Sequence, residues 1–155
     1  MRGFTVIEFL LVSAIFAVLV ALTTVNLFSF QHKSQITGTV EAFITDAKEM
    51  QTKAMSGDTE GRSSNSTYGI NMASTRYILY HGTYSSSEPT NFSVTLPNTI
   101  QVTTTFPNSQ IVFQGGSGEI VGYASTSASV TLRDTVTSEQ KVLQFNRYGV
   151  VTAIN

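Results

Sequence analysis

The sequence predicts an α+β fold: one long N-terminal helix followed by an antiparallel β-sheet domain. Three observations predict it. Residues 9–30 form an apolar run without charge, glycine or proline. Apolar residues then recur at spacings of three and four up to residue 54, the period of a helix with one buried face. From Tyr68 onward the period drops to two, and turn residues punctuate short apolar runs. The chain has 155 residues with a net charge of −1, of which 41% are hydrophobic and 12% charged. That length fits one modest domain. The charge balance supplies no polycation, so affinity driven by phosphate neutralisation is not expected. The absence of cysteine excludes disulfides, thiolate metal sites and cysteine nucleophiles together.

The N-terminal run comes first. Arg2 and Glu8 are the early charges, and none follows until Lys33. About 22 residues of helix span roughly 33 Å, enough to cross a hydrocarbon core of about 30 Å. Ser13, Thr23, Thr24 and Asn26 interrupt the run without forming a polar face. A secretory signal peptide has a shorter apolar centre and then a cleavage site, whereas this run continues into helical pattern without a breaker. Arg2 before the run and a long polar region after it favour an N-in, C-out orientation, which Lys33 opposes weakly. Glu8 is the anomaly. A carboxylate inside an apolar segment costs a few kcal/mol, so it marks a functional site; the alternative is that Glu8 lies at headgroup level and the span starts at Phe9.

Gly3-Phe4-Thr5-Val6-Ile7-Glu8, followed by the apolar run, closely resembles the prepilin signature of type IV pilins and type II secretion pseudopilins. The resemblance implies a three-residue leader (1–3), cleavage by a prepilin peptidase between Gly3 and Phe4, and N-methylation of Phe4. It also implies a transmembrane and assembly helix over 4–30, with Glu8 as the assembly glutamate. The new ammonium of Phe4 in one subunit would meet the carboxylate of Glu8 in its neighbour. In a low-dielectric helical bundle that pairing offsets two desolvation penalties and sets the axial register. Two features depart from the family. The leader is very short, and Val25 stands where many major pilins carry a helix-breaking proline. The second departure favours a minor subunit.

Past the run, Ile36, Val40, Phe43, Ile44, Ala47, Gln51 and Ala54 form one stripe, with Asp46, Lys48, Glu49 and Lys53 between them. This predicts an amphipathic half over 31–56 that continues the membrane span as one rod and ends at Gly57 and Asp58. Residues 57–155 form the β-rich domain. Residues 56–67 contain no large apolar side chain and read as a loop. Residues 68–72 and 76–80 predict a hairpin. Strands follow at 92–96, 100–106 and 110–113, separated by Pro97 and Pro107, and then at 129–133, 141–146 and 150–154. About thirty of the last hundred residues are serine or threonine, which suits a domain outside the cytoplasm. The expected core joins the helix stripe to Ile70, Ile78, Leu79, Val102, Val112, Leu132, Leu143 and Phe145.

The C-terminal order adds a second resemblance. Leu96-Pro97, Ile111-Val112-Phe113, a glycine-rich turn, Val130-Thr131-Leu132, Val142-Leu143-Gln144-Phe145 and Gly149-Val150 resemble the H-type minor pseudopilins and related minor type IV pilins. Some of those bind DNA through a basic motif, but here only Arg147 stands in the corresponding turn. Other constellations carry no chemistry. Gly116-Ser117-Gly118 lacks dinucleotide-loop spacing. His32 and His81 lack metal-ligand spacing and read as solvated surface. Glu119 and Asp134 are too isolated to make a cation site, and no histidine–acid pair is arranged to activate a serine.

The expected function is that of a minor pilin or pseudopilin in the cytoplasmic membrane, N-terminus inside and β-domain outside, assembling into a pseudopilus or pilus. The expected partners are other subunits, the prepilin peptidase, an inner-membrane assembly platform and membrane lipid. Nucleic acid is not expected, nor are enzymatic activity, a cofactor or a metal. The alternative is a membrane-anchored extracytoplasmic binding module, in adhesion or DNA uptake, with Tyr68, Tyr77, Tyr80 and Tyr84 on its binding surface.

Overall fold

The computed structural model describes residues 5–59, 61 and 67–155, with side chains described throughout except at 23–29. A helix, α1, runs over Val6–Ser56. Contacts divide the chain into two units, Met1–Ser34 and Gln35–Asn155, and the boundary falls inside α1. The two parts of α1 on either side of that boundary therefore belong to different units.

The expected fold is corrected on two points. Among the described residues no helix is long and apolar enough to cross a membrane. The described apolar part of α1 covers residues 6–22 of the expected span. The rest of the run expected to complete the span includes 23–29, which lie outside the described side chains. Second, the β-domain is two four-stranded sheets rather than one.

In the second unit, α1 buries Ile36, Val40, Phe43, Ala47, Met50 and Ala54. These recur every three or four residues and so face one side. Met50 takes the buried place expected of Gln51, and Ile44 is half-buried at the edge of the stripe. The helix ends at Gly57, whose φ of +67° lies in the left-handed region that glycine enters without penalty. The N–H of Asp58 then donates to the Lys53 carbonyl at 3.2 Å, and that of Gly116 to the Ala54 carbonyl at 2.8 Å. These bonds satisfy carbonyls that the last turn leaves open.

The strands are β1 (Tyr68–Ala73), β2 (Arg76–His81), β3 (Phe92–Thr95), β4 (Ile100–Thr104), β5 (Gln110–Phe113), β6 (Ser129–Asp134), β7 (Gln140–Phe145) and β8 (Val151–Ile154). Strands β1 and β2 form the expected hairpin, with Ile70 opposite Leu79. One sheet has the order β3-β2-β1-β5 and the other β4-β6-β7-β8, and every pairing is antiparallel. Consecutive strands β3, β4 and β5 thus do not pair with one another. The chain leaves the first sheet at Pro97, whose carbonyl accepts from Ile100 N–H at 2.8 Å. It returns through a 3₁₀ turn at Pro107–Ser109, where Asn108 and Ser109 both have positive φ, 54° and 56°.

One apolar cluster draws on α1 and both sheets, with Phe43, Ile70, Ile111, Phe113, Leu132 and Leu143 among its fully buried members. Two expected core residues are corrected by the pleat. Leu79 belongs to this cluster, so its neighbour Ile78, although buried, faces away from it. Likewise Ile111 and Phe113 point inward, which leaves Val112 half-buried on the far side. That far side is also covered locally. Tyr80 lies over Gly69, where an added Cβ would run into its ring. Its hydroxyl donates to Gln110 Oε1 at 3.0 Å.

Candidate functional site

The sequence singles out the start of α1. Gly3 and Phe4, the expected cleavage site and methylation position, lie outside the described residues. Glu8 is described, and its carboxylate turns back on Thr5. The backbone N–H and the hydroxyl of Thr5 both donate to Glu8 Oε2 at 2.9 Å. In return Glu8 N–H donates to Thr5 Oγ1 at 3.3 Å. This reciprocal pair is a capping box, and it satisfies donors that the first turn of a helix would leave unpaired. It also places a negative charge at the positive end of the helix dipole. Sequence reasoning missed it, although the signal was present as a threonine three residues before a glutamate ahead of an apolar run.

Around this cap the helix is apolar on every side, and every residue of 6–22 is exposed. Val6 is 79% exposed, Phe16 68% and Leu22 62%. Successive residues advance by about 100° on a helix, so these side chains point in all directions. Such a surface calls for apolar surroundings, either lipid or other helices. Glu8 is the acidic residue in it. Among the described residues its partners are both on Thr5, so the structure does not bring it beside a cation.

The other residues weighed in the sequence take structural places. His81 is corrected: it ends β2, is only 5% exposed, and stacks on Tyr68 with ring centres 4.3 Å apart. His32 is half-exposed on α1. Glu119 and Asp134 are not brought together. Glu119 Oε2 accepts from Arg147 Nε at 3.1 Å and from Nη2 at 2.9 Å, which occupies the arginine considered for DNA contact. Asp134 is fully buried and accepts from the N–H groups of Val136 and Thr137 at 2.8 and 3.1 Å, holding the turn between β6 and β7. Among the described residues no three histidine or acidic side chains cluster as metal ligands.

The glycine-rich segment 115–118 is a clamp on the end of α1. Besides the Gly116 bond, Gln51 Nε2 donates to the Gly118 carbonyl at 3.1 Å and also to the Tyr148 carbonyl. Of the four tyrosines expected on a binding surface, Tyr68, Tyr77 and Tyr80 are buried. Burial pushes the Tyr80 phenol up to about 12, and the neighbouring Tyr84 adds to the effect. No family model, curated protein or solved structure matches this chain.

Proposed function

We propose that this chain is a minor pilin or pseudopilin subunit that works by packing its N-terminal helix against the helices of other subunits in a pilus or secretion pseudopilus. In this reading a prepilin peptidase cuts between Gly3 and Phe4, and Phe4 is N-methylated. The apolar part of α1 holds the subunit at the cytoplasmic membrane until an assembly platform moves it into the fibre. Glu8 then takes the ammonium of a neighbouring subunit as its partner. The β-rich unit faces outward and carries no catalytic role.

The observation that carries this reading is the exposure of residues 6–22 on every side of the helix, with Glu8 the acidic residue among them. No pattern of burial within one chain could cover such a surface, whereas a bundle of like helices covers it completely. The prepilin-like order of Gly3, Phe4 and Glu8 supplies the processing step. Because Glu8 already caps its own helix through Thr5, its transfer to a neighbour exchanges hydrogen bonds for a charge pair in a low-dielectric bundle.

Mass spectrometry of the mature N-terminus in cells with a working prepilin peptidase tests the processing. A chain beginning at methylated Phe4 supports the reading; a chain that keeps Met1, or is cut far downstream, overturns it. A Glu8→Val variant is expected to remain membrane-associated while its recovery in sheared fibres falls about tenfold or more, as expected for loss of a charge-assisted partner in an apolar bundle.

A further inference from the structure

A cavity of about 350 Å³ lies within the second unit, between the C-terminal half of α1 and the first sheet. That volume is in the range of small-ligand sites, roughly 300–1,000 Å³. Asp46, Glu49 and Lys53 line it from α1, spaced so that they share one face of the helix. The stacked rings of Tyr68 and His81 form a wall, and Phe92, 65% exposed, stands at the rim.

Asp46 is the most constrained of these charges. It is half-buried, and the hydroxyl of Tyr77 donates to its Oδ2 at 2.5 Å. Tyr77 is itself buried and packed edge-on against Phe43, with ring centres 5.1 Å apart. A buried phenol thus orients the carboxylate, and burial together with that hydrogen bond pushes the phenol well above its usual range. Among the described residues no cation pairs with Asp46. The neighbouring Glu49 is matched by Lys53 at 3.1 Å. The helix face therefore presents two carboxylates against one ammonium. Partial removal from water strengthens the pull of the unmatched charge on a cation. An exposed aromatic face at the rim suits an organic cation in particular. The described residues also lack a third ligand for a bare metal ion.

We propose that this cavity binds an organic cation, a primary ammonium or guanidinium group carried either by a small free amine or by a lysine or arginine side chain, with Asp46 as its counter-ion and Phe92 against its body. The site is independent of the filament reading, since it lies wholly in the second unit and requires no assembly.

The test is an NMR titration of the full chain in detergent micelles. The probes are n-butylamine, n-butylguanidinium and lysine blocked at both ends, with n-butanol as the neutral control. The cations are expected to give saturable shifts of the His81 ring and the Met50 methyl, and n-butanol none. Asp46→Asn keeps an acceptor for Tyr77 and is expected to weaken binding about tenfold or more. Glu49→Gln provides a second charge deletion should Asp46→Asn fold poorly. Phe92→Ala is expected to cost about threefold. Tighter binding of blocked lysine than of butylamine assigns the cation to a peptide, and the reverse assigns it to a free amine. Absence of saturable shifts with all three cations overturns the proposal, as does binding that is equal for n-butanol or unchanged when the carboxylate is removed.

Discussion

The two described segments of α1 are equally helical and differ in almost everything else. Residues 6–22 carry Leu, Val, Ile and Phe at every angle around the axis, and all are exposed. Residues 36–54 carry apolar side chains on one stripe, and that stripe is buried to the last atom at Ile36, Phe43 and Ala54. The backbone does not distinguish them, because helix formation asks only for residues without strong objection to the conformation. The angular pattern of side chains decides what each needs. A stripe can be satisfied by its own chain, whereas a cylinder can be satisfied only by something that surrounds it.

Substitutions can break or sharpen that contrast. The largest effect is expected at Phe43, fully buried in the stripe: Phe43→Ala should cost about 3–5 kcal/mol in urea unfolding of the second unit followed by near-UV circular dichroism. A loss below about 1 kcal/mol would mean that the stripe does not hold the core. Gly69→Ala should cost about 1–3 kcal/mol in the same assay, because the new methyl would meet the Tyr80 ring and the Ile111 carbonyl, the latter at 2.8 Å.

An alkaline titration reports on the second unit alone. All six tyrosines lie in the second unit. Tyr80 is raised from 10.0 to about 12 in the folded chain, so its contribution is fully present below pH 10 and is lost as pH rises toward 12. Tyrosinate absorbance should show late-ionising tyrosine that joins the ordinary class on unfolding in urea. If all six ionise together near pH 10, Tyr80 is not buried as described. The smallest effect is expected at Leu11, where Leu11→Ala should change the stability of the second unit by no more than about 0.5 kcal/mol. A larger change would show that residues 6–22 do support the second unit.

Local signals in the sequence were enough to find most strands. Pro97, Pro107 and the glycine-rich turn stop the runs where the strands stop, and the Met72-to-Arg76 turn sets the first hairpin. What the sequence hid is non-local. Nothing in residues 100–113 says that β4 pairs with β6 while β5 goes back to β1, because each edge offers the same backbone donors and acceptors to any partner. Choosing an inward residue within Ile78-Leu79 or Ile111-Val112 requires the register, which a run of adjacent apolar residues does not supply. His81 reads from the sequence as solvated surface, but the ring of Tyr68 across the hairpin gives it a stacking partner. At the start of α1, the interest of Glu8 was legible as a charge out of place. Its cap on Thr5 is equally legible as a spacing of three ahead of an apolar run.

The clamp at the end of α1 has a consequence for biogenesis. The last carbonyls of that helix are met by Gly116, and Gln51 is held by Gly118 and Tyr148, all encoded far downstream. During synthesis the helix therefore emerges long before the loops that finish it. The stripe from Ile36 to Ala54 must wait, uncovered, until nearly the whole polypeptide has left the ribosome. For a chain whose other helical segment is itself so apolar, that interval is when a chaperone or a nearby bilayer matters most.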